Sequence, residues 1–186
     1  MPASSASHSH GGLLAFNQQL IAQALALVAA HDGPGQPAYA GAAGSHLRHV
    51  IEHYDALVFP AQPGFADYDG RARDLALEIS PTLARQRLHL LRSSLRQWQP
   101  ALLDRPVRVR GLAGVTGEHH FGVDSSLGRE LAFVASHTVH HFALLAPYCQ
   151  QHAISTGAHF GQAPGTVKHH QLMRSTPCAA STAATH

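Results

Sequence analysis

The chain has 186 residues and carries 13 Lys+Arg against 11 Asp+Glu, a net charge of +2. That length suits one domain with a real core, and the balanced charge excludes a protein that works by neutralising a phosphate backbone. Hydrophobic residues make up 45% but aromatics only 6% and charged residues only 13%, so aliphatic side chains must fill the interior and Ala, Gly, Ser, Gln and His must share the surface. Histidine is in excess: its 17 copies outnumber Lys and Arg together. It is the commonest metal ligand and titrates near neutral pH, so its placement matters.

Residues 1–11 are small and polar and are expected to form a disordered tail, as are most of residues 166–186. Residues 12–165 are then the folded domain. Leu13, Leu14, Phe16, Leu20, Ile21, Ala24, Leu25, Leu27 and Val28 recur at a helical period, and Asp32-Gly33-Pro34-Gly35 stops that helix. Residues 43–59 read as a second helix with Leu47, Val50, Ile51, Tyr54, Leu57 and Val58 on its apolar face. Pro60 and Pro63-Gly64 close it. Residues 64–70 read as a loop, and Arg71–Ile79 as a helical turn or two. Ser80-Pro81 reads as an N-cap followed by Pro at the first helical position, opening a third helix to Trp98 with Leu83, Leu88, Leu91 and Leu95 inward.

Val107 and Val109 alternate with Arg108 and Arg110, a strand period. His120, Phe121 and Val123 supply a returning strand, so a small hairpin is predicted. Asp124-Ser125-Ser126 starts a fourth long helix, about 127–154. A short terminal helix follows Phe160. Four main helices with one elaborated crossover predict an all-α helical bundle. Cys149 and Cys178 show no disulfide or C-x-x-C spacing and read as free thiols. No stretch reaches the ~20 uninterrupted apolar residues of a membrane span, and the N-terminus lacks a basic leader region. The expectation is a soluble, cytoplasmic protein with no membrane and no nucleic-acid partner.

Six of the 17 histidines fall in two short windows, His46, His49 and His53 in the second helix and His137, His140 and His141 in the fourth. His49 and His53, and likewise His137 and His141, are spaced i,i+4 and so share a helix face. Two imidazoles so spaced can bind one metal ion, and a third from a facing helix completes a three-His set with open positions. Burying such imidazoles without partners costs on the order of a few kcal/mol each. A metal or a hydrogen-bonded network relieves that cost. His46 and His53 lie nearer the apolar stripe of their helix than His49. The sequence holds no G-x-S-x-G, H-E-x-x-H, P-loop or G-x-G-x-x-G motif.

Ser45-His-Leu-Arg-His-Val-Ile-Glu-His-Tyr-Asp55 and Ser136-His-Thr-Val-His-His-Phe142 resemble motifs of the DinB-like (DinB/YfiT) superfamily. Asp67-Tyr-Asp-Gly-Arg-Ala-Arg73, Leu127-Gly-Arg-Glu-Leu131 and Phe160-Gly-Gln-Ala-Pro164 extend the likeness to a bacterial subgroup of unassigned activity. The resemblance implies an up-down-down-up four-helix bundle, here with a small hairpin insertion between helices three and four. It also implies a divalent metal held by His49, His137 and His141. Zn fits best, with Ni, Fe or Mn also suited to imidazole. Relatives include metal-dependent thiol transferases, so a low-molecular-weight thiol or another small molecule could be the substrate. His53, His140, Asp69 and Arg71 are then candidate catalytic groups. The family also implies a homodimer. A thiol transferase or hydrolase-like enzyme and a non-enzymatic metal-binding stress or damage-response protein both remain open.

Overall fold

The computed structural model describes residues 3–175. In chain order it runs α1 (Ala3–Ala29), α2 (Ala42–Val58), β1 (Phe65–Asp67), α3 (Leu75–Ile79), α4 (Pro81–Gln97), a 3-10 turn (Pro100–Asp104), β2 (Pro106–Ala113), β3 (His119–Ser126), α5 (Leu127–Gln151) and α6 (Pro164–Ser175). The N-caps are chemically explicit. Ser80 Oγ accepts from Leu83 N at 3.3 Å with Pro81 beginning α4, and Ser126 Oγ accepts from Arg129 N at 3.2 Å to open α5.

Both α1 and α2 pack against α4 and α5, while α1 and α2 barely touch, so they lie across the core from each other. Aliphatic side chains fill the centre, among them Ile21, Leu47, Ile51, Leu91 and Leu131, all at 1% exposure or less. One polar link crosses it: Tyr54 Oη donates to Asn17 Oδ1 at 2.8 Å, and Asn17 Nδ2 donates to the Leu13 carbonyl at 2.9 Å. Tyr54 and Asn17 thereby satisfy each other in the interior.

The all-α four-helix-bundle expectation, and with it the DinB-like up-down-down-up architecture, is overturned. The described residues hold six α-helices and a three-stranded mixed sheet of order β1-β2-β3. The segment expected to be a loop supplies β1, which pairs in parallel with β2, Phe65 opposite Arg108 and Asp67 opposite Arg110. β2 pairs antiparallel with β3 from Pro106↔Ser126 to Ala113↔His119. Three residues are too few to show a period of two, and their pairing partner lies some forty residues downstream, so no local signal marks β1.

Further boundaries differ from expectation. α1 starts at Ala3, inside the stretch expected to be disordered to Gly11, and α6 runs to Ser175, well into the expected C-terminal tail. α6 has no buried residue, so apolar periodicity could not announce it. Residues 176–186, with Cys178 and the rest of the expected tail, lie outside the described residues. Leu83 is 42% exposed because the inward stripe of α4 is Ala84, Leu88, Leu91 and Leu95. Ser9–Ala29 is long and apolar enough by length and composition to cross a membrane, which the expectation denied. Here its Leu14, Leu20, Ile21, Ala24, Leu27 and Val28 side chains are buried in the core.

Candidate metal centre

α2 and α5 lie side by side, and their histidines face each other as rungs. His46 Nδ1 and His141 Nδ1 are 2.7 Å apart, and one turn along His49 Nε2 and His137 Nε2 are 2.9 Å apart. Residue numbers rise along α2 as they fall along α5, so the two helices run antiparallel. The next rung brings His53 to His137, with ring centroids 4.2 Å apart. The i,i+3 and i,i+4 spacings on each helix generate this ladder directly.

The best three-ligand set is His49, His53 and His137, whose ligand atoms all lie within 4.8 Å of one another. Two nitrogens bound tetrahedrally to one zinc ion at 2.0–2.1 Å lie about 3.3 Å apart. The 2.9 Å between His49 and His137 is therefore within a few tenths of an ångström of a ligand pair. His53 is pre-oriented. Its Nδ1 lies 2.8 Å from the His49 carbonyl, which can only accept, so Nδ1 donates and the Nε2 lone pair remains for a ligand. Of the expected ligands His49, His137 and His141, the first two belong to this set. The His141 ring is 4.6 Å from both of theirs, but its Nδ1 is engaged by His46.

Burial holds these imidazoles neutral. It pushes His53 down to about 3 despite the bond to the His49 carbonyl. Burial, then the neighbouring His53 and Arg71 charges, push His49 to about 3. Burial and the adjacent His137 and His49 do the same to His141. His137 and His46 are lowered, chiefly by burial and next by His140. Neutral imidazole is the metal-binding form.

The surroundings split the other candidates. Arg71 Nη2 approaches His49 Nδ1 at 3.5 Å, and Arg71 Nε lies 3.7 Å from Glu52 Oε2. Glu52, 5% exposed, also accepts from Asp74 N at 2.7 Å. Asp69 is exposed and accepts from Leu112 N at 2.8 Å, tying its loop to β2. His140 points to solvent beside His141. Arg71 is thus at the site, and Asp69 and His140 are not.

Two residues that the histidine spacing could not reveal close the far end. Tyr68 stacks on His53 with centroids 5.5 Å apart and rings 15° from parallel, and it meets Phe133 at 5.1 Å. Its hydroxyl donates to Glu130 Oε2 at 2.8 Å. Glu130 is fully buried and also accepts from Ser125 Oγ at 2.7 Å and Arg129 Nη1 at 2.8 Å. Burial and the Glu130 carboxylate raise the Tyr68 phenol well above its ordinary value, so it stays a donor. A Glu on the largely apolar stretch Leu127–Val134 is a sequence signal for this spot: a buried carboxylate needs partners.

No family model matches the chain, and no solved structure matches it. A curated relative is FK506-binding protein 5 of Rhizopus delemar, 29% identical over 103 residues, which are 55% of this chain and 27% of that protein. The chain thus spans about a quarter of that relative, and the likeness places it in no family.

Proposed function

We propose that the chain is a metal-binding protein in which His49, His53 and His137 hold one divalent first-row ion, zinc being the best match to an all-imidazole set. The observation that carries this reading is the convergence of three neutral imidazoles from two antiparallel helices within 4.8 Å. The donor set fits an ion in chemistry and spacing. The Arg71 guanidinium opposes a cation, and Glu52 beside it offsets that charge. A bound divalent ion with an open position would supply Lewis acidity, making a thiol or water nucleophilic at neutral pH. Arg71 is placed to orient an anionic substrate there, as the thiol-transferase or hydrolase-like reading requires.

A second reading has one observation behind it. The His141 ring stands 4.6 Å from those of His49 and His137. If it turned in as a fourth ligand, the sphere would close and the ion would be structural, in a non-enzymatic stress-response protein.

Elemental analysis of protein purified without a His-tag or nickel column tests the proposal. One ion per chain is expected in wild type and in His140→Ala, with loss of the ion in His49→Ala, His53→Ala and His137→Ala. Equal metal content in wild type and all three would refute it. Loss of the ion in His141→Ala as well would favour the closed, structural site.

A further inference from the structure

β3 has a paired edge and, among the described residues, a bare one. It is eight residues long, and every residue from His119 to Asp124 is exposed. Edge strands are normally blunted by Pro, Lys, a bulge or a covering element. His119-His-Phe-Gly-Val-Asp-Ser-Ser126 contains neither Pro nor Lys, and its register with β2 is unbroken.

Its two faces are unlike. Directly paired residues share a face, and Val109 pairs with Val123, Gly111 with Phe121. Val107 and Val109 are buried at 8% exposure each, so Phe121 and Val123 lie on the same inner, apolar face. Yet they are 42% and 51% exposed. On the outer face, Arg108 crosses to Asp124, Nη1 to Oδ1 at 2.7 Å, and Nη2 also reaches the Gly122 carbonyl at 3.3 Å. The inner apolar surface therefore continues past its cover to a strand edge that can still pair.

We propose that β3 pairs antiparallel with β3 of a second copy of this chain, about a two-fold axis through Gly122, joining two three-stranded sheets into one. The strand is self-complementary in this register. Phe121 falls opposite Val123 of the other copy, and Val123 opposite its Phe121, so the two exposed apolar pairs form one continuous inner cluster. On the outer face His120 falls opposite Asp124, an imidazole against a carboxylate, twice over. Centring the axis on Phe121 or Val123 breaks both matches. A one-residue slip puts the apolar face of one copy beside the polar face of the other. A closed two-fold contact of this kind also uses up both edges and stops further growth. The pairing is independent of the metal reading, since none of its residues touches the histidine ladder.

Sedimentation velocity on the full chain with chelator present tests it. A particle of twice 19.8 kDa is expected for wild type. Val123→Lys, which buries a charge in the inner cluster, and His120→Asp, which sets carboxylates against carboxylates on the solvent face, should both give monomer with unchanged circular dichroism. His120 is exposed, so the second variant keeps the test valid if the first misfolds. A short bis-maleimide should link two chains carrying Gly122→Cys in a Cys178→Ser background, and should not link chains carrying Ser93→Cys on α4. The Gly122 site tolerates a side chain, since the nearest atoms to a Cβ there are the movable end of Arg108, at 3.2 Å, which can shift. A monomeric wild type, a dimer surviving both disruptive variants, no linkage at position 122, or a bare β3 edge that captures an extended peptide of another protein instead would each overturn self-pairing.

Discussion

The histidine ladder should make the metal-free protein acid-labile, and His53 allows the size of the effect to be worked out. Its imidazole is 4% exposed and is held at about 3, against 6.5 in the unfolded chain. Because the folded value is depressed, the unfolded chain binds the proton first. Stability is fully present above pH 6.5 and is lost as the pH falls from 6.5 towards 3. Each pH unit well inside that window costs up to about 1.4 kcal/mol per group, so acidifying from 7.5 to 5 removes about 2 kcal/mol through His53 alone. His49 and His141 add in the same direction but less each, because water screens their exposed part. The perturbation that isolates His53 is His53→Asn, whose amide can still donate to the His49 carbonyl but does not titrate. Urea unfolding of chelator-treated protein at pH 7.5 and pH 5 is the assay. Wild type should lose about 2 kcal/mol more than the variant between these conditions. Carboxylates such as Asp55, raised by burial, titrate in both proteins and cancel in the difference. Equal losses in the two proteins, or a wild type that gains stability in acid, would refute the reasoning.

Three further outcomes follow from the packing. Tyr68→Phe keeps the ring against His53 but takes one donor from the buried Glu130 carboxylate, and should cost about 1.5–3 kcal/mol in urea unfolding, as hydrogen bonds to charged groups do. Gly44→Ala should destabilise by at least about 1–3 kcal/mol despite alanine's better helix propensity, because its Cβ would come within 2.0 Å of the Glu78 carbonyl oxygen; a more stable variant by thermal melting would contradict the contact. Saturating zinc at about 100 times its dissociation constant should raise wild-type stability by about 2.7 kcal/mol, measured as a shift in the urea midpoint, and leave the midpoint of His137→Ala unmoved.

How far the sequence reveals this fold depends on how local each signal is. The caps at Ser80-Pro81 and Ser126 are carried by adjacent residues and can be read directly. So can the inward stripe of α2, where Leu47, Val50, Ile51 and Tyr54 are buried. β1 cannot, since three residues become a strand only when β2 arrives beside them. α6 cannot either, having no buried face to impose a period. The same division runs through the site. The i,i+4 pairs are local and point to the two helices whose histidines face each other. Which three rings converge depends on how α2 is rotated against α5, and that is set by the whole core. The wheel placed His53 nearer the apolar stripe, the resemblance chose His141, and the geometry sets His53 with His49 and His137.

The choice between an open and a closed coordination sphere turns on His141. His141 Nδ1 lies 2.7 Å from His46 Nδ1, a bond that His141 would have to give up if that nitrogen were to become a ligand. His46 is only half-buried, so losing its partner to water costs little there. His53, in contrast, already presents Nε2 because its other nitrogen is fixed to backbone, and Tyr68 stacked on its face, itself anchored to Glu130, holds the ring in place. Only His53 thus presents a nitrogen without rearrangement; as ligands, His49 and His137 would exchange the 2.9 Å bond between their Nε2 atoms, just as His141 would exchange its bond to His46. Arg71 stands close to His49, with Nη2 3.5 Å from its Nδ1, and its Nε lies 3.7 Å from Glu52. A guanidinium so placed repels a bare ion but attracts an anion bound to one, so the open site we propose would take a small anionic molecule.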